Sequence, residues 1–183
     1  MTNLLRFQQV ALRRGGRLLF ENLDLALAPG EAIQVTGRNG SGKSSLIRLA
    51  AGLLRQDRGR VERSDASLAD DNLALDRELP LRLALRFWVA DVDRAMDAVG
   101  LEQLADIKVR FLSSGQARRA ILARVFASGA PLWLLDEPLN ALDAEGAMRL
   151  SRIIELHRSK GGAIVAVSHQ QLAGDWQILE LGR

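Results

Sequence analysis

Residues 37–44 read Gly37-Arg38-Asn39-Gly40-Ser41-Gly42-Lys43-Ser44. The stretch fits G-x-x-x-x-G-K-[ST], a loop whose glycines let backbone N–H groups turn inward around phosphate oxygens. Its surroundings agree. Ala32-Ile33-Gln34-Val35-Thr36 is short and mostly apolar, as a buried strand is, and from Ser44 the apolar positions Leu46, Ile47, Leu49, Ala50, Leu53 and Leu54 recur at helical spacing. Strand, glycine-rich turn and helix in that order bring the partial positive charge of a helix N-terminus against an anion. Lys43 is then within reach of β- and γ-phosphates, and Ser44 can ligate Mg²⁺.

Upstream, residues 4–36 read as strands: Leu23, Leu25 and Leu27 alternate with Asn22, Asp24 and Ala26, and Pro29-Gly30 breaks the run. Downstream, residues 58–79 are polar and weakly patterned. Pro80 to about Val99 reads as helix in two pieces, with Asp91 and Asp93 at a second start and Gly100 at the stop. The last third alternates helix (Ser114 to Ser128), apolar strand (Leu132-Trp133-Leu134-Leu135), helix (Ala144 to Lys160) and apolar strand (Ala163 to Val167). Wholly apolar strands interleaved with helices predict an α/β fold around a mixed or parallel sheet. Residues 58–112 interrupt the alternation and are expected to form a small helical insert, and the N-terminal strands an antiparallel part, of a single domain spanning residues 1–183.

Three further stretches carry chemistry. Leu134-Leu135-Asp136-Glu137 ends an apolar strand in two carboxylates, where open α/β sheets bind ligands. Asp136 suits a magnesium ligand and Glu137 the base that orients the attacking water; the plain alternative is that Asp136 only caps the next turn of the chain. Leu112-Ser113-Ser114-Gly115-Gln116 opens a helix, and by itself Ser113 or Ser114 is only a cap. Asn140-Ala141-Leu142-Asp143 and Ser168-His169 come after it; a histidine one residue past a buried strand is by itself an ordinary strand-end residue.

In this order the stretches resemble the nucleotide-binding domain of the ATP-binding cassette family, and the likeness runs over nearly the whole chain, with Ser114 in place of the first glycine of the L-S-G-G-Q signature. The resemblance implies ATP and Mg²⁺ as ligands, with ATP on residues Gly37 to Ser44 and Ser45. It implies a second copy of the chain in a head-to-tail dimer, each ATP lying between one subunit's phosphate loop and the other's signature loop, Leu112 to Gln116. Asp143 is then the D-loop residue at the dimer interface, and Glu137 and His169 are the catalytic pair. Two features depart from the family. The chain has no Tyr, and Arg14 stands where an aromatic residue usually stacks on adenine. The Q-loop glutamine is missing from Asp70-Asp71-Asn72-Leu73, so Asn72 is expected at that position, with an amide one methylene shorter.

Within the family, the residues Leu112 to Arg119, Leu132 to Pro138 and Ser168 to Leu172 resemble the haem-exporter ATPases of cytochrome c maturation. That implies a CcmB-like integral membrane permease, further cytochrome c maturation proteins as partners, and a peripheral place on the cytoplasmic face of the inner membrane. A transporter ATPase for another substrate is the nearest alternative. A soluble cassette acting on nucleic acid or ribosomes is less favoured, because that class carries two cassettes or a long coiled-coil insert. Phe87-Trp88 is expected in the core of the insert, with docking to a membrane subunit as the reading the resemblance adds.

Composition agrees. The 183 residues include no Cys, which removes disulfides, thiolate nucleophiles and cysteine-ligated metals, and no His/Met/Cys haem-ligand constellation is visible. Lysine occurs only at Lys43, Lys108 and Lys160, so the pI near 10.1 reflects arginine in a chain of formal charge +3, not a nucleic-acid stripe; no nucleic-acid partner is expected. No apolar run reaches the ~18 residues of a membrane span, and Met1-Thr2-Asn3-Leu4-Leu5-Arg6 is too soon charged for a signal peptide.

Overall fold

The computed structural model describes residues 3–72 and 74–182; Met1 and Thr2 of the N-terminal stretch and Leu73 of the 70–73 segment lie outside the described residues. Two sheets make the frame. Strands β1 (Leu5–Arg14) and β2 (Arg17–Leu27) form an antiparallel hairpin turned at Gly15 and Gly16, and both glycines take the positive φ that a two-residue turn requires. Strand β4 (Arg58–Arg63) pairs antiparallel with the other edge of β1.

The second sheet has the order β5-β6-β7-β3-β8, and every pairing in it is parallel. Its strands are β3 (Ala32–Gly37), β5 (Ala66–Ala69), β6 (Leu132–Asp136), β7 (Ala163–Val167) and β8 (Gln177–Leu181). All five residues of β7 are buried, as expected of a parallel strand covered on both faces. Helix α1 (Lys43–Ala50) fills the space between the sheets, where Leu46, Ile47 and Leu49 meet Leu5, Phe7, Leu134 and Val165. On the opposite face, α4 (Ser114–Phe126) and α5 (Ala144–Ser159) set Ile121, Leu122, Leu150 and Ile154 against Trp133, Leu135 and Ile164. Each such side chain contributes ~1.5–3 kcal/mol on burial. The C-terminal ends of β3, β6 and β7 therefore share one edge, with α1 rising from it.

The insert is smaller than the 58–112 expected. Residues 58–63 and 66–69 are strands β4 and β5, and helix begins at α2 (Leu81–Arg86), followed by α3 (Val92–Ala98), whose first turn Asp91 caps by accepting from Arg94 N–H at 3.1 Å. Its own core joins Leu81, Leu85, Met96 and Leu101 to Ala120 and Ala123 of α4. The Phe87-Trp88 expectation is corrected: Phe87 is 82% exposed and Trp88 41%. Leu81, Ala84 and Leu85 fill the buried stripe and Val89 continues it, so Phe87 faces outward and Trp88 lies over the Arg124 guanidinium. Among the described residues no helix is long and apolar enough to cross a membrane.

Candidate functional site

The phosphate loop follows β3 directly. Gly42, with φ of 103°, precedes the first residue of α1; no side chain caps the helix and its first turn holds no acidic residue, so its free N–H groups and dipole remain for an anion. Lys43 is buried and donates from Nζ to Gly37 O at 2.8 Å and Arg38 O at 3.1 Å, curling the loop around its own ammonium. Side chains are excluded where the loop is tightest: a Cβ on Gly37 would lie 2.3 Å from Leu181 O of β8. Ser41 Oγ is buried without a hydrogen-bond partner among the described residues, the kind of orphan a phosphate oxygen satisfies. These features fit a polyphosphate.

Asn39, Gly40, Gly42, Lys43, Ser44 and Ser45 line a cleft of about 640 Å³ together with Arg14, Leu19, Glu137, Asn140, His169 and Gln170. Gly37, Arg38 and Ser41 complete the loop beneath without lining it. Arg14, at the end of β1, stands on the cleft wall. At the end of β6, Asp136 is hydrogen-bonded to the Ser44 hydroxyl; burial pushes its carboxyl up from the usual range, and the Ser44 bond works against that. Among the described residues no three His, Cys, Asp or Glu side chains are grouped to hold a metal ion by themselves.

Glu137 takes a left-handed φ of 49°, an arrangement that costs a non-glycine residue ~1–2 kcal/mol. Its N–H donates to Val167 O at 2.8 Å, and the guanidinium of Arg118 donates to the carbonyls of Asp136 and Glu137. The bent main chain sends the Glu137 carboxylate to His169: Oε1 lies 3.4 Å from Nε2 and Oε2 accepts from the His169 N–H at 3.3 Å. The His169 segment is held in turn by Gln34 of β3, only 3% exposed, whose Nε2 donates to Gln170 O at 2.8 Å and whose Oε1 accepts from Leu172 N–H at 3.3 Å. Sequence reasoning missed both Gln34 and Arg118. Gln34 had a signal, an amide inside an apolar strand that must find partners; Arg118 had none among so many arginines.

The signature stretch lies elsewhere. Ser113 and Gln116 form a capping box at the start of α4: Ser113 Oγ accepts from Gln116 N–H at 3.3 Å, and Gln116 Oε1 accepts from Ser113 N–H at 2.9 Å. A Cβ on Gly115 would stand 2.6 Å from Ala141 O, so the loop at 140–143 packs directly on the signature backbone. Asp143 caps α5 by accepting from Gly146 N–H at 2.8 Å. Leu112, Ser113, Ser114, Gly115, Gln116 and Asp143 are all absent from the walls of the phosphate cleft; Ser113, Gly115, Gln116 and Asp143 line a separate notch with Arg119 and Ala141.

Asn72 also lies off the cleft. Its side-chain oxygen accepts from Ala74 N–H at 3.2 Å and its own N–H donates to Asp70 Oδ1 at 3.0 Å, so the short amide is used in a local turn. The charge this segment sets against Asp136 is that of Asp71, which raises the Asp136 carboxyl further.

Comparison with known proteins agrees with this geometry. Residues 20–140 match the family described as ABC transporter. The chain is 55% identical to the cytochrome c biogenesis ATP-binding export protein CcmA of Sphingopyxis alaskensis, covering 94% of this chain and 93% of that protein. It is 54% identical to the protein of the same name from Novosphingobium aromaticivorans, covering 90% and 87%. A solved ATP-binding subunit of an ABC transporter superposes with a TM-score of 0.85 at 20% identity over 97% of this chain and 88% of that one, a likeness of fold. A phosphate loop, a carboxylate pair and a signature helix on an α/β frame, with these relatives over nearly the full length, make the chain a member of the ABC transporter family of ATPases.

Proposed function

We propose that the chain is the ATP-hydrolysing subunit of a membrane exporter, acting as a pair of copies that encloses two ATP molecules and drives a separate permease. The observation that carries this reading is the meeting of Lys43, Ser44, Glu137 and His169 in one cleft. The triphosphate is taken by the loop from Gly37 to Ser45, and the Arg14 guanidinium stacks on the base. Ser44 and Asp136 would hold Mg²⁺, which neutralises phosphate charge when bound. Glu137 accepts the proton of the attacking water, and His169, hydrogen-bonded to it, faces the γ-phosphate. ATP and water leave as ADP and phosphate.

Because Ser113 to Gln116 does not line its own cleft, we assign that stretch, with Asp143, to the ATP of the partner copy. A second helix N-terminus then favours the closed dimer only while the γ-phosphate is present. The relatives are named cytochrome c biogenesis ATP-binding export proteins; we place the chain in the same process, handling haem, with a CcmB-like permease holding it at the cytoplasmic face of the inner membrane. The exposed Phe87 and Trp88 are the surface we assign to that permease. Co-expression with the candidate permease tests the reading. Detergent-stable recovery of a complex that hydrolyses ATP, and loss of haem-stained c-type cytochromes in cells carrying Glu137→Gln, are expected; a chain recovered only with RNA, or unchanged cytochromes, would sink it.

A further inference from the structure

We propose that Arg118 is a positioning residue that ties the signature helix to the catalytic carboxylates of its own subunit, so that seating α4 on the partner's nucleotide sets the Glu137 backbone in the subunit that carries it. The inference rests on the ATPase reading above.

Arginine is rarely fully buried unless paired, yet Arg118 is only 5% exposed. Among the described residues its guanidinium makes no hydrogen bond to a side chain. It donates instead to three main-chain carbonyls: Nη1 to Asp70 O at 3.0 Å, and Nη2 to Asp136 O and to Glu137 O, the latter at 2.7 Å. Burial lowers its pKa, against the opposing pull of Asp71, Asp136, Asp70 and Glu137. An arginine that only filled space would run its stem along apolar surface and leave its head in water.

The choice of carbonyls is what points to positioning. Asp136 O and Glu137 O belong to the peptides on either side of the Glu137 Cα, and the orientations of those two peptides define its φ and ψ. One nitrogen therefore grips both planes at the residue whose φ is 49°. With that backbone fixed, the carboxylate is aimed at His169. The third bond, to Asp70 at the end of β5, ties in the segment that brings the Asp71 charge to Asp136.

The other end of the link is α4 itself. The helix starts at Ser114, so Arg118 stands little more than one turn from the capping box of Ser113 and Gln116. A shift of the helix when its N-terminus meets a phosphate carries the guanidinium with it. Misplacing a catalytic group by about 1 Å can cost on the order of a hundredfold in rate. Lysine cannot reproduce the link, since it offers a compact ammonium where the planar fork reaches three carbonyls at once.

The test compares the full chain with Arg118→Gln and Arg118→Lys in ATP turnover, equilibrium ATP affinity, and amide hydrogen exchange of residues 136–143 and 37–50. Turnover is expected to fall roughly tenfold to a hundredfold in Arg118→Gln with ATP affinity within about twofold of the parent. Exchange should quicken at 136–143 and stay unchanged at 37–50, and Arg118→Lys should recover thermal stability without recovering turnover. Parental turnover in Arg118→Gln, equal losses of affinity and turnover, or full rescue by lysine would overturn the proposal. If the glutamine variant does not fold, the lysine variant decides by the same measures. A parent chain without ATPase activity would count against the ATPase reading; the exchange comparison needs no turnover, and unaltered exchange at 136–143 overturns the role of Arg118 by itself.

Discussion

Glu137 and His169 meet from the ends of neighbouring strands, with Glu137 Oε1 3.4 Å from His169 Nε2 and Glu137 Oε2 accepting from the His169 N–H at 3.3 Å. The pairing of Asp136 with Val167 in the β6–β7 register brings the two chain ends level, and the left-handed turn at Glu137 directs its carboxylate across the gap. Replacing Glu137 by glutamine keeps the size of the side chain and removes the proton acceptor. Steady-state ATP turnover is expected to fall by roughly 10²–10⁴ while an ATP-stabilised dimer accumulates in size-exclusion chromatography. Turnover at the parental rate would remove Glu137 from the chemistry.

Lys43 is buried and already hydrogen-bonded to the carbonyls of Gly37 and Arg38, so its ammonium is held at the loop before any ligand arrives. On the proposed function Lys43→Ala deletes a charged donor to phosphate, worth about 1.5–3 kcal/mol, and ATP affinity by calorimetry should weaken on the order of tenfold or more. Unchanged affinity contradicts the placement of phosphate on this loop.

Gly115 has no room for a side chain, since its Cβ would lie 2.6 Å from Ala141 O. Gly115→Ala should push the signature loop and the 140–143 loop apart and destabilise the fold by about 1–3 kcal/mol. The dimer should weaken more than ATP binding by the single chain, which analytical ultracentrifugation with the Glu137→Gln background can read. A dimer of parental strength would mean that the two loops do not cooperate at the interface.

Gln34 holds the segment after β7 by bonds to Gln170 O and Leu172 N–H. Gln34→Leu leaves the buried Leu172 N–H unpartnered at about 1–3 kcal/mol and removes the partly buried bond to Gln170 O, so thermal stability should drop. Turnover is expected to fall at least several-fold because His169 loses its mooring, with ATP affinity little changed. A loss of stability with normal turnover would assign Gln34 to the core alone.

His157 gives a pH dependence far from the cleft. Its ring stacks on Trp133 with centroids 3.6 Å apart, its Nε2 lies 3.2 Å from Pro131 O, and burial lowers its pKa below the usual histidine value. A base with a lowered folded pKa is bound neutral in the fold, so its stabilisation is present above the unfolded pKa of about 6.5 and is lost as pH falls through the folded value. His157→Phe keeps a stacking ring and cannot titrate. Its melting temperature should be lower than the parent's at pH 8, by about the loss of one hydrogen bond, and should fall less between pH 7 and pH 5. Parallel curves for the two proteins would refute this.

Much of the molecule was legible from local pattern. The apolar run of Leu132 to Leu135, the helix from Ala144 and the strand from Ala163 appear close to the expected residues, because burial on both faces forces unbroken apolar runs. Strands β4 and β8 were not legible: Arg58–Arg63 and Gln177–Leu181 are edge strands, mostly exposed, held by main-chain pairing that leaves little trace in residue type. The insert boundary and the exposure of Phe87 went astray for a related reason, since neither polarity nor apolarity alone says which neighbour is near.

By itself the sequence determined the phosphate loop, the Asp136-Glu137 pair and the signature stretch, because each is a short run whose chemistry depends on residues adjacent in the chain. Only the tertiary structure decided that Asn72 turns on itself, that Gln34 anchors the His169 segment, and that Arg118 clasps the backbone on both sides of Glu137. The last two are contacts between residues distant in sequence, and all three are made by side chains to main-chain carbonyls and N–H groups. Every residue carries a carbonyl, so the acceptor leaves no mark in the sequence, and only the fold selects which one a buried donor meets.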